Sequence, residues 1–413
     1  MKKRVVVTGI GVVSPMGIGV KNFWENLLDG KSGIKPIEGF DTSEYKSKLG
    51  AEVLDFGPAE FIGKKGLRYL NSGTKFLSSA TKMALSDSSF PDNDEELFNQ
   101  TGLIVGSSLG NFAETTDYFY DIIRKGPAEL SPMKSYDVAL NSSINHASVS
   151  FTTKAFARTI SAGFTSSADA IGNAFNMIQA GRAKAVVAGG VEHLSIDLYM
   201  IFYLRNQLSV SNGGFVEASI PFDKRRNGFV LGEGSYLLLL EEYEHAKERG
   251  VPVYCEVVGY GTTLGANSTF TIDRKIKKAE TAMSLAVKDA GADLKDVHFI
   301  SANANSSVEL DMIEAKAIKN LFSCVDNSIP IVNAIKSSVG ECYGAAGAAQ
   351  TVGAAMSLKT GNIPPVINFK EDDPLCNLKL AVDGIAKHSG EFAMINSFDY
   401  LGNNSSLLLK KAE

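Results

Sequence analysis

Cysteine and histidine are the side chains of this sequence best suited to supply a nucleophile or to move a proton near neutral pH. The chain contains four cysteines, which are Cys255, Cys324, Cys342 and Cys376. None forms a CxxC pair, so neither a disulfide framework nor a zinc site is predicted. Cys342 follows Glu341, but no histidine lies near it in sequence. A buried, unreactive thiol is therefore favoured over a nucleophile.

The five histidines are scattered along the chain. His245 and His388 have polar neighbours, which predicts surface positions. His146, His193 and His298 lie nearer to predicted core elements. A hydrogen-bonded structural imidazole is expected there more often than a catalytic one.

Composition limits the functions that this chain can have. Its 413 residues are 44% apolar and 21% charged, with a net charge of −5, and no long basic run favours nucleic-acid binding. The apolar N-terminal run is broken by Thr8 and Gly9, so it predicts a core strand and not a signal peptide. No segment suits a membrane span. We expect a cytoplasmic protein without a cofactor or metal.

The elements that must position any site alternate between strands and helices. Apolar runs at 5–7, 103–105 and 186–188, the last two ending in glycine, predict strands buried on both faces of an α/β sheet. The spacing of apolar residues predicts a helix over 74–85 that opens on its threonine. The charged segment 241–250 predicts a solvent-facing helix.

The second half of the chain repeats this scheme. Strands are predicted at 254–258, 298–301 and 392–395. The strand at 298–301 corresponds to the one at 103–105 in the first half, and the strand at 392–395 corresponds to the one at 186–188. The repetition predicts two duplicated halves that share one core, residues 1–250 and 251–413.

Several long segments are similar to one known family. These segments are residues 4–17, 178–192, 221–250, 332–349 and 396–404. In this order they resemble the elongating β-ketoacyl-acyl-carrier-protein synthases over essentially the whole chain. The resemblance implies a thiolase-like, duplicated αβαβα five-layer fold. Function must still be judged from the site itself.

The resemblance places a nucleophilic cysteine at the N-terminus of a buried helix, where the helix dipole favours a thiolate. Counting back from Gly189 and Gly190 without gaps puts Phe164 at that position. A phenyl ring cannot attack a thioester, and it fills the space that an acyl group needs. Thr165 and Ser166 are expected to cap the helix.

The family also uses two histidines to assist decarboxylation of a malonyl thioester and to stabilise the enolate. Asn303 and Glu341 stand at those positions. Lys336, Asp311 and Glu314 match retained family positions and are interpreted as a structural polar network. We expect Glu341 and Lys336 to form a buried ion pair.

The loop that gates acyl access in the family is rich in glycine, but here it carries Asp399 and Leu401. These residues predict a stiffer loop that does not gate. Tyr400 in this loop is expected to line the substrate tunnel together with Phe164. By resemblance, Phe112 and Met133 reach toward a partner's tunnel, although ordinary core packing is an equal alternative.

Loss of all three catalytic positions resembles the chain-length factors, or ketosynthase-β subunits, of type II polyketide synthases. The resemblance implies a catalytically inactive subunit that pairs with an active ketosynthase, sets the length of chains held on acyl carrier protein, and acts in polyketide or polyene synthesis. Segment 151–160 resembles the strand that pairs across the dimer axis. Two alternatives stay open: an acyltransferase or hydrolase with a relocated site at Glu341 and Cys342, and a homodimeric acyl-binding scaffold.

Overall fold

The fold is described by a computed structural model. It covers residues 2–91, 94–151, 153–265, 271–323 and 329–413, and the side chain of Met133 lies outside the description, as does Cys324. The described strands are β1 (Val5–Ser14), β2 (Gly17–Ile18), β3 (Lys35–Pro36), β4 (Leu49–Ala51), β5 (Thr101–Gly106), β6 (Ala157–Ile160), β7 (Ala185–Glu192), β8 (Leu231–Gly232), β9 (Gly234–Glu242), β10 (Cys255–Leu264), β11 (Val297–Ser301), β12 (Ile331–Asn333), β13 (Asn362–Ile363), β14 (Ala386–Lys387), β15 (Phe392–Phe398) and β16 (Asn403–Lys411).

The described α-helices are α1 (Val20–Leu28), α2 (Ala59–Ile62), α3 (Ser72–Asp87), α4 (Glu95–Asn99), α5 (Phe112–Lys125), α6 (Ser142–Phe151), α7 (Ser166–Gln179), α8 (Ile196–Tyr203), α9 (Tyr243–Arg249), α10 (Ile272–Asp289), α11 (Val308–Phe322), α12 (Lys336–Val339) and α13 (Ala346–Thr360). Short 3-10 turns occupy Leu67–Tyr69, Pro127–Glu129, Pro132–Val138, Gly163–Thr165, Leu294–Asp296 and Tyr343–Ala345. Within the described residues, no helix has the length and apolar character that crossing a membrane requires.

The main sheet consists of two similar halves. One half has the strand order β6-β5-β7-β9-β1, and the other has the order β12-β11-β15-β16-β10. The halves join where residues 5–7 of β1 pair with residues 255–257 of β10. In each half the three outermost strands are parallel and the remaining pairs are antiparallel. The repetition expected from the sequence is therefore present in the topology, whereas the division of the chain at residue 250 stays a prediction.

Five layers result from this duplication. Helices α7 and α13 pack against each other and against strands of both halves, while α3 and α6 cover the outside of one half and α10 and α11 cover the other. α13 is buried on nearly all sides and is rich in alanine and glycine. Small side chains let it lie between two layers of strands, as expected for a helix without a polar face. The expected αβαβα architecture is confirmed.

Two pairs of glycines set how closely the outer helices approach the sheet. Gly9 and Gly11 in β1 face carbonyls of α3, and Gly259 and Gly261 in β10 face carbonyls of α10. A Cβ at any of these positions would lie only 1.8–2.2 Å from a helix carbonyl oxygen. The strand register also shifts at the first glycine of each pair. Glycine is required here because the helix backbone rests directly on the strand.

The strand expected over 151–160 is shorter than predicted. Phe151 ends α6, and only Ala157–Ile160 forms the strand β6, while residue 152 lies outside the description. Residues 153–156 form an irregular connection between α6 and β6, which their aromatic and β-branched composition did not reveal. β6 nevertheless lies at one end of the sheet.

The prediction of a solvent-facing helix over 241–250 is wrong at its beginning. Glu241 belongs to β9 and is fully buried, and helix α9 starts only at Tyr243. The Glu241 carboxylate accepts hydrogen bonds from Arg249 at 2.6 Å and 2.7 Å and lies 2.8 Å from Nδ1 of His245. A charged residue can occupy the core when its charge is paired in this way. The helix predicted from residue 74 begins two residues earlier, with Asn71 as its cap.

Gly261→Ala is expected to lower the free energy of unfolding by about 1–3 kcal/mol, because the new Cβ would push α10 off the sheet. Urea denaturation measures this loss. Gly353→Ala is the matched control, since its nearest neighbouring atoms lie at 3.7 Å. The control should leave stability unchanged or raise it by up to about 1 kcal/mol. Equal stability of the two variants would refute the close approach of α10.

Candidate functional site

The centre of the molecule is occupied by the side chain of Phe164. It lies in the 3-10 turn that leads into α7, and only 3% of it is exposed. Its ring packs against four other aromatic rings at centroid distances of 5.0–6.1 Å. These rings belong to Tyr343, Phe202, Tyr400 and Phe229. The five rings form a continuous aromatic cluster, and Phe164 brings no ionisable group to it.

The residue before Phe164 is Gly163, and a side chain from the second half of the chain lies against its backbone. Gly163 has a φ of +64°, and a Cβ there would lie 2.2 Å from Oδ2 of Asp399. The Asp399 carboxylate therefore takes the place that a side chain at position 163 would fill. Ser397 donates a hydrogen bond to the backbone carbonyl of Phe164 at 2.8 Å. The turn is held from outside by the β15–β16 connection.

The capping role expected for Thr165 and Ser166 is not what the structure shows. Thr165 is the residue before α7, but neither it nor any other side chain caps the helix. Its backbone lies in the helical region of φ and ψ, whereas a capping residue is normally extended. The Thr165 hydroxyl instead lies 2.8 Å from Oδ2 of Asp169 and 3.0 Å from Ala162 O, and the Ser166 hydroxyl donates to Gly163 O at 2.7 Å. Both hydroxyls shape the turn that presents Phe164.

A buried ion pair stands at the second site expected from the sequence. Lys336 Nζ lies 2.8 Å from Glu341 Oε2, and both side chains are almost completely buried. Glu341 also accepts hydrogen bonds from Asn305 Nδ2 at 2.8 Å and from the Tyr343 backbone N–H at 3.0 Å. The expected pairing of these two residues is present. Its extra hydrogen bonds offset the cost of taking two charges out of water.

Asn303 connects this ion pair to the strand β15. Its Oδ1 accepts hydrogen bonds from Lys336 Nζ at 3.2 Å and from the Phe398 backbone N–H at 3.1 Å. Its Nδ2 is buried without a hydrogen-bond partner among the described residues. The amide can accept and donate hydrogen bonds, but it cannot take up a proton near neutral pH.

Two further carboxylates lie beneath this network. Glu314 accepts the backbone N–H groups of Asn303 and Ala304, and Asp311 accepts that of Asn305. Burial raises the pKa of Glu314 to about 7 and that of Asp311 to about 6. These carboxylates hold the backbone after β11 in place, in agreement with the structural role expected for them.

The connection between β15 and β16 is a tight turn. Its residue Asp399 accepts the Leu401 N–H at 2.5 Å, while its own N–H and carbonyl bond to Asn403 and Gly402. Within the turn only Gly402 has a positive φ. Tyr400 points into the aromatic cluster, whereas Leu401 is 67% exposed. That the loop is stiff and does not gate stays a prediction.

Cys342 is buried, and its hydrogen-bond contacts among the described residues include no histidine. Its Sγ lies 3.6 Å from the carbonyl oxygens of Glu233 and Val339 and 3.8 Å from the hydroxyl of Tyr236. Burial raises the pKa of this thiol to about 12, so it stays protonated near neutral pH. The surroundings match the unreactive thiol that the sequence favoured.

Two of the histidines form hydrogen bonds to carboxylates. His193 Nδ1 lies 2.6 Å from Glu233 Oε2, and His146 Nε2 lies 3.2 Å from Asp137 Oδ1. Burial works against protonation of His193, but the hydrogen bond to Glu233 and the negative charges of Glu233, Glu114 and Glu192 together raise its pKa. Both histidines have the structural surroundings expected for them.

The other three histidines do not lie where the sequence suggested. His298, the second residue of β11, is exposed, whereas Ile300 on the same face of the strand is fully buried. His245 is half-buried against Glu241, and His388 is half-buried with its Nε2 3.0 Å from Ser357 O. Burial lowers the pKa of His388. Polar neighbours in sequence were a poor guide because carboxylate and carbonyl partners lie inside the fold.

Sequence reasoning missed several members of the site. Phe202 and Phe229 join the aromatic cluster from distant segments, and no local spacing signals them. Tyr343, two residues after Glu341, has a φ of +44°, which is unusual for an aromatic residue. Glu192 accepts the N–H groups of the turn after β5, and burial raises its pKa to about 7.

Phe112 begins α5, a helix without a single buried residue. Phe112 itself is 42% exposed, so it is not the ordinary core residue that was the alternative interpretation. Met133 lies in the 3-10 turn that follows, but its side chain is outside the described part of the chain.

Comparison with known proteins identifies the scaffold. The duplicated five-layer arrangement of helices and strands, with α7 and α13 at its centre, is the thiolase-like ketosynthase fold. Family models for the β-ketoacyl synthase N-terminal and C-terminal domains match residues 2–246 and 254–370. The chain belongs to the β-ketoacyl synthase family.

Relatives with this family's activity in their names are similar over almost their entire length. The 3-oxoacyl-(acyl-carrier-protein) synthase 2 of Coxiella burnetii is 34% identical over 412 residues, which is 99% of each chain. The enzyme of the same name from Vibrio cholerae gives the same identity and coverage.

Solved structures give the same result. The ishigamide ketosynthase/chain length factor is 26% identical, with a TM-score of 0.90 over 100% of both chains. A type II polyketide synthase acyl-carrier protein in complex with its ketosynthase bound to the hexaketide gives 27% identity and a TM-score of 0.89, again over 100% of both chains.

Lys336→Met is expected to lower the free energy of unfolding by about 3–5 kcal/mol, because it leaves the Glu341 carboxylate buried without its cation. Chemical denaturation measures the loss. The double variant Lys336→Met/Glu341→Gln should recover part of it, since no charge is then left unpaired. A single-variant loss below about 1 kcal/mol would contradict a buried pair and would match a solvated one.

Proposed function

We propose that this chain is a catalytically inactive ketosynthase homologue that acts as a chain-length factor. In this role it pairs with an active ketosynthase and limits the length of chains extended on acyl carrier protein. The observation that carries the proposal is the buried aromatic cluster around Phe164. Ketosynthase chemistry needs a thiolate that can be acylated, and here a ring packed by four others takes up that space.

The second support comes from Asn303 and Glu341. Decarboxylation and enolate stabilisation call for proton-bearing donors near the new negative charge. An amide at one position and an ion-paired carboxylate at the other supply neither an imidazole nor a free positive charge. The three vacated positions thus lose the nucleophile and the acid–base groups together, while the scaffold around them is kept.

The partner proposal draws on known relatives. One structural neighbour is itself a ketosynthase/chain length factor, and another is a ketosynthase in complex with an acyl-carrier protein. By analogy, this chain would meet an active ketosynthase as a heterodimer and share its carrier protein. Its curated relatives are named as synthases, whereas the proposal for this chain rests on Phe164.

The alternative function, an acyltransferase or hydrolase with a relocated site, has less support. It would need Cys342 or Glu341 as a working group, but Cys342 has a raised pKa and no imidazole contact. Glu341 is bound to Lys336, Asn305 and the Tyr343 N–H. No observation favours this alternative over the partner subunit.

Co-expression with an intact ketosynthase, ideally one encoded beside this chain, tests the proposal. We expect a one-to-one complex that extends malonyl units on acyl carrier protein, because the partner supplies the thiolate. Replacing the partner's nucleophilic cysteine should abolish turnover, and Cys342→Ala in this chain should not. Turnover by this chain alone that is lost in Cys342→Ala would overturn the proposal in favour of the relocated site.

Phe112→Ala in such a complex is expected to shift products toward longer chains, because a smaller side chain leaves more room where the two tunnels meet. Discrimination by one missing group in an apolar pocket is about tenfold or more. Mass spectrometry of the carrier-bound products measures the ratio. Ile385→Ala, also at an exposed position, is the control and should leave the product pattern unchanged. Equal patterns for both variants would remove Phe112 from the tunnel.

A further inference from the structure

The edge strands at the two ends of the main sheet differ in whether their outer side is hydrogen-bonded to another segment. At one end, β12 is covered by residues 379–381. The Val332 N–H donates to Lys379 O at 2.8 Å, and Val332 O accepts the Ala381 N–H at 3.0 Å. At the other end, β6 pairs only with β5 among the described residues. An uncovered edge strand presents a row of backbone N–H and carbonyl groups that another strand can join.

Exposed apolar side chains lie on the two helices that precede this edge strand in the chain. α6 adjoins β6, and the 3-10 turn Pro132–Val138 connects α6 to α5. On α5, Phe119, Tyr120 and Ile123 are 53%, 54% and 79% exposed, and their spacing puts them with Phe112 on one helix face. Val149 of α6 is 82% exposed. A group of exposed apolar side chains on one helix face is typical of a protein interface.

One charged residue lies within the edge strand itself. Arg158 is exposed, and its guanidinium carbon is 5.2 Å from the ring centroid of Phe156. No described aspartate or glutamate lies within ion-pair distance of it, although many other basic residues of the chain have such a partner. The edge thus offers a positive charge whose counter-charge is not provided by the described part of the chain.

Symmetry makes this charge unfavourable for self-pairing. A two-fold axis that pairs two antiparallel copies of one strand is perpendicular to the sheet, so each residue and its copy lie on the same face. With the axis at either of the two central residues of β6, Arg158 faces its own copy or Ile160 of the copy. The two arginine Cα atoms are then about 5–8 Å apart. Like charges at such positions oppose pairing.

We infer that Arg158 makes the open edge selective for a different chain. The occupant is an edge strand of a homologous subunit that places an aspartate or glutamate opposite Arg158, and a second copy of this chain is disfavoured. The exposed apolar face of α5 and Val149 of α6 extend the same contact. The inference rests on the proposed function, because it takes the partner to be a related ketosynthase, and it adds the residue that selects the partner.

The first test uses this chain alone. Sedimentation equilibrium should show that Arg158→Ser self-associates at least about tenfold more tightly than the wild type, because the repulsion between the two arginines is removed. High salt should narrow the difference by screening that repulsion. Lys288→Ser, which removes an exposed charge from α10 on the outer layer of the other half, is the control and should match the wild type. Equal self-association of Arg158→Ser and the wild type would overturn the inference.

The second test uses the complex with the active ketosynthase. Arg158→Glu should weaken the complex by about tenfold or more, and a matching acid-to-arginine change in the partner strand should restore it. A wild-type complex that Arg158→Glu leaves unchanged would overturn the inference while the proposed function stands. A wild-type chain that binds no ketosynthase would overturn both.

Discussion

The burial of α7 and α13 between the two halves of the sheet is the constraint on which the rest of this structure depends. A helix buried on every side leaves its first N–H groups inside the protein, where they need partners. The turns that precede both helices, Gly163–Thr165 and Tyr343–Ala345, lie in contact at the centre of the molecule. Any residue placed there meets oriented backbone groups and is shielded from water. The same scaffold can therefore hold a catalytic site or a packed core, depending on which side chains it carries.

The charges of the site follow from that shielding. A carboxylate at position 341 is tolerable only because Lys336, Asn305 and the Tyr343 N–H surround it. In a dry interior an ion pair contributes little net stability, but loss of one partner is costly. Lys336 is thereby tied to Glu341, and it is not free to stabilise a developing negative charge on a substrate. Asn303 and Glu341 are thus part of the structure that supports the fold.

Much of the fold could be predicted from the sequence because its signals are local. Apolar runs that end in glycine located the central strands, and their repetition indicated the two halves. Errors arose where tertiary partners outweighed local pattern, as for Glu241, which is buried because Arg249 and His245 meet its charge. At the site, the identities of Phe164, Asn303 and Glu341 could be read from aligned motifs. The aromatic residues Phe202 and Phe229 could not, since they come from segments with no catalytic signature.

The aromatic cluster and the ion pair are consistent with a single change in what the centre of this fold has to do. An enzyme keeps an open, polar cavity at some cost in stability, because unfilled volume and unpaired groups are unfavourable. If this chain is not acylated, as the proposed function requires, rings that fill the cavity add buried apolar area and edge-to-face contacts. Tyr343 illustrates the balance: its positive φ is strained, but its ring packs on Phe164 and Phe202 at 5.0 Å and 5.1 Å. The packing of the cluster holds that strained backbone in place. Under the proposed function, the edge at β6 and the exposed face of α5 are the surfaces through which the chain would act on a partner.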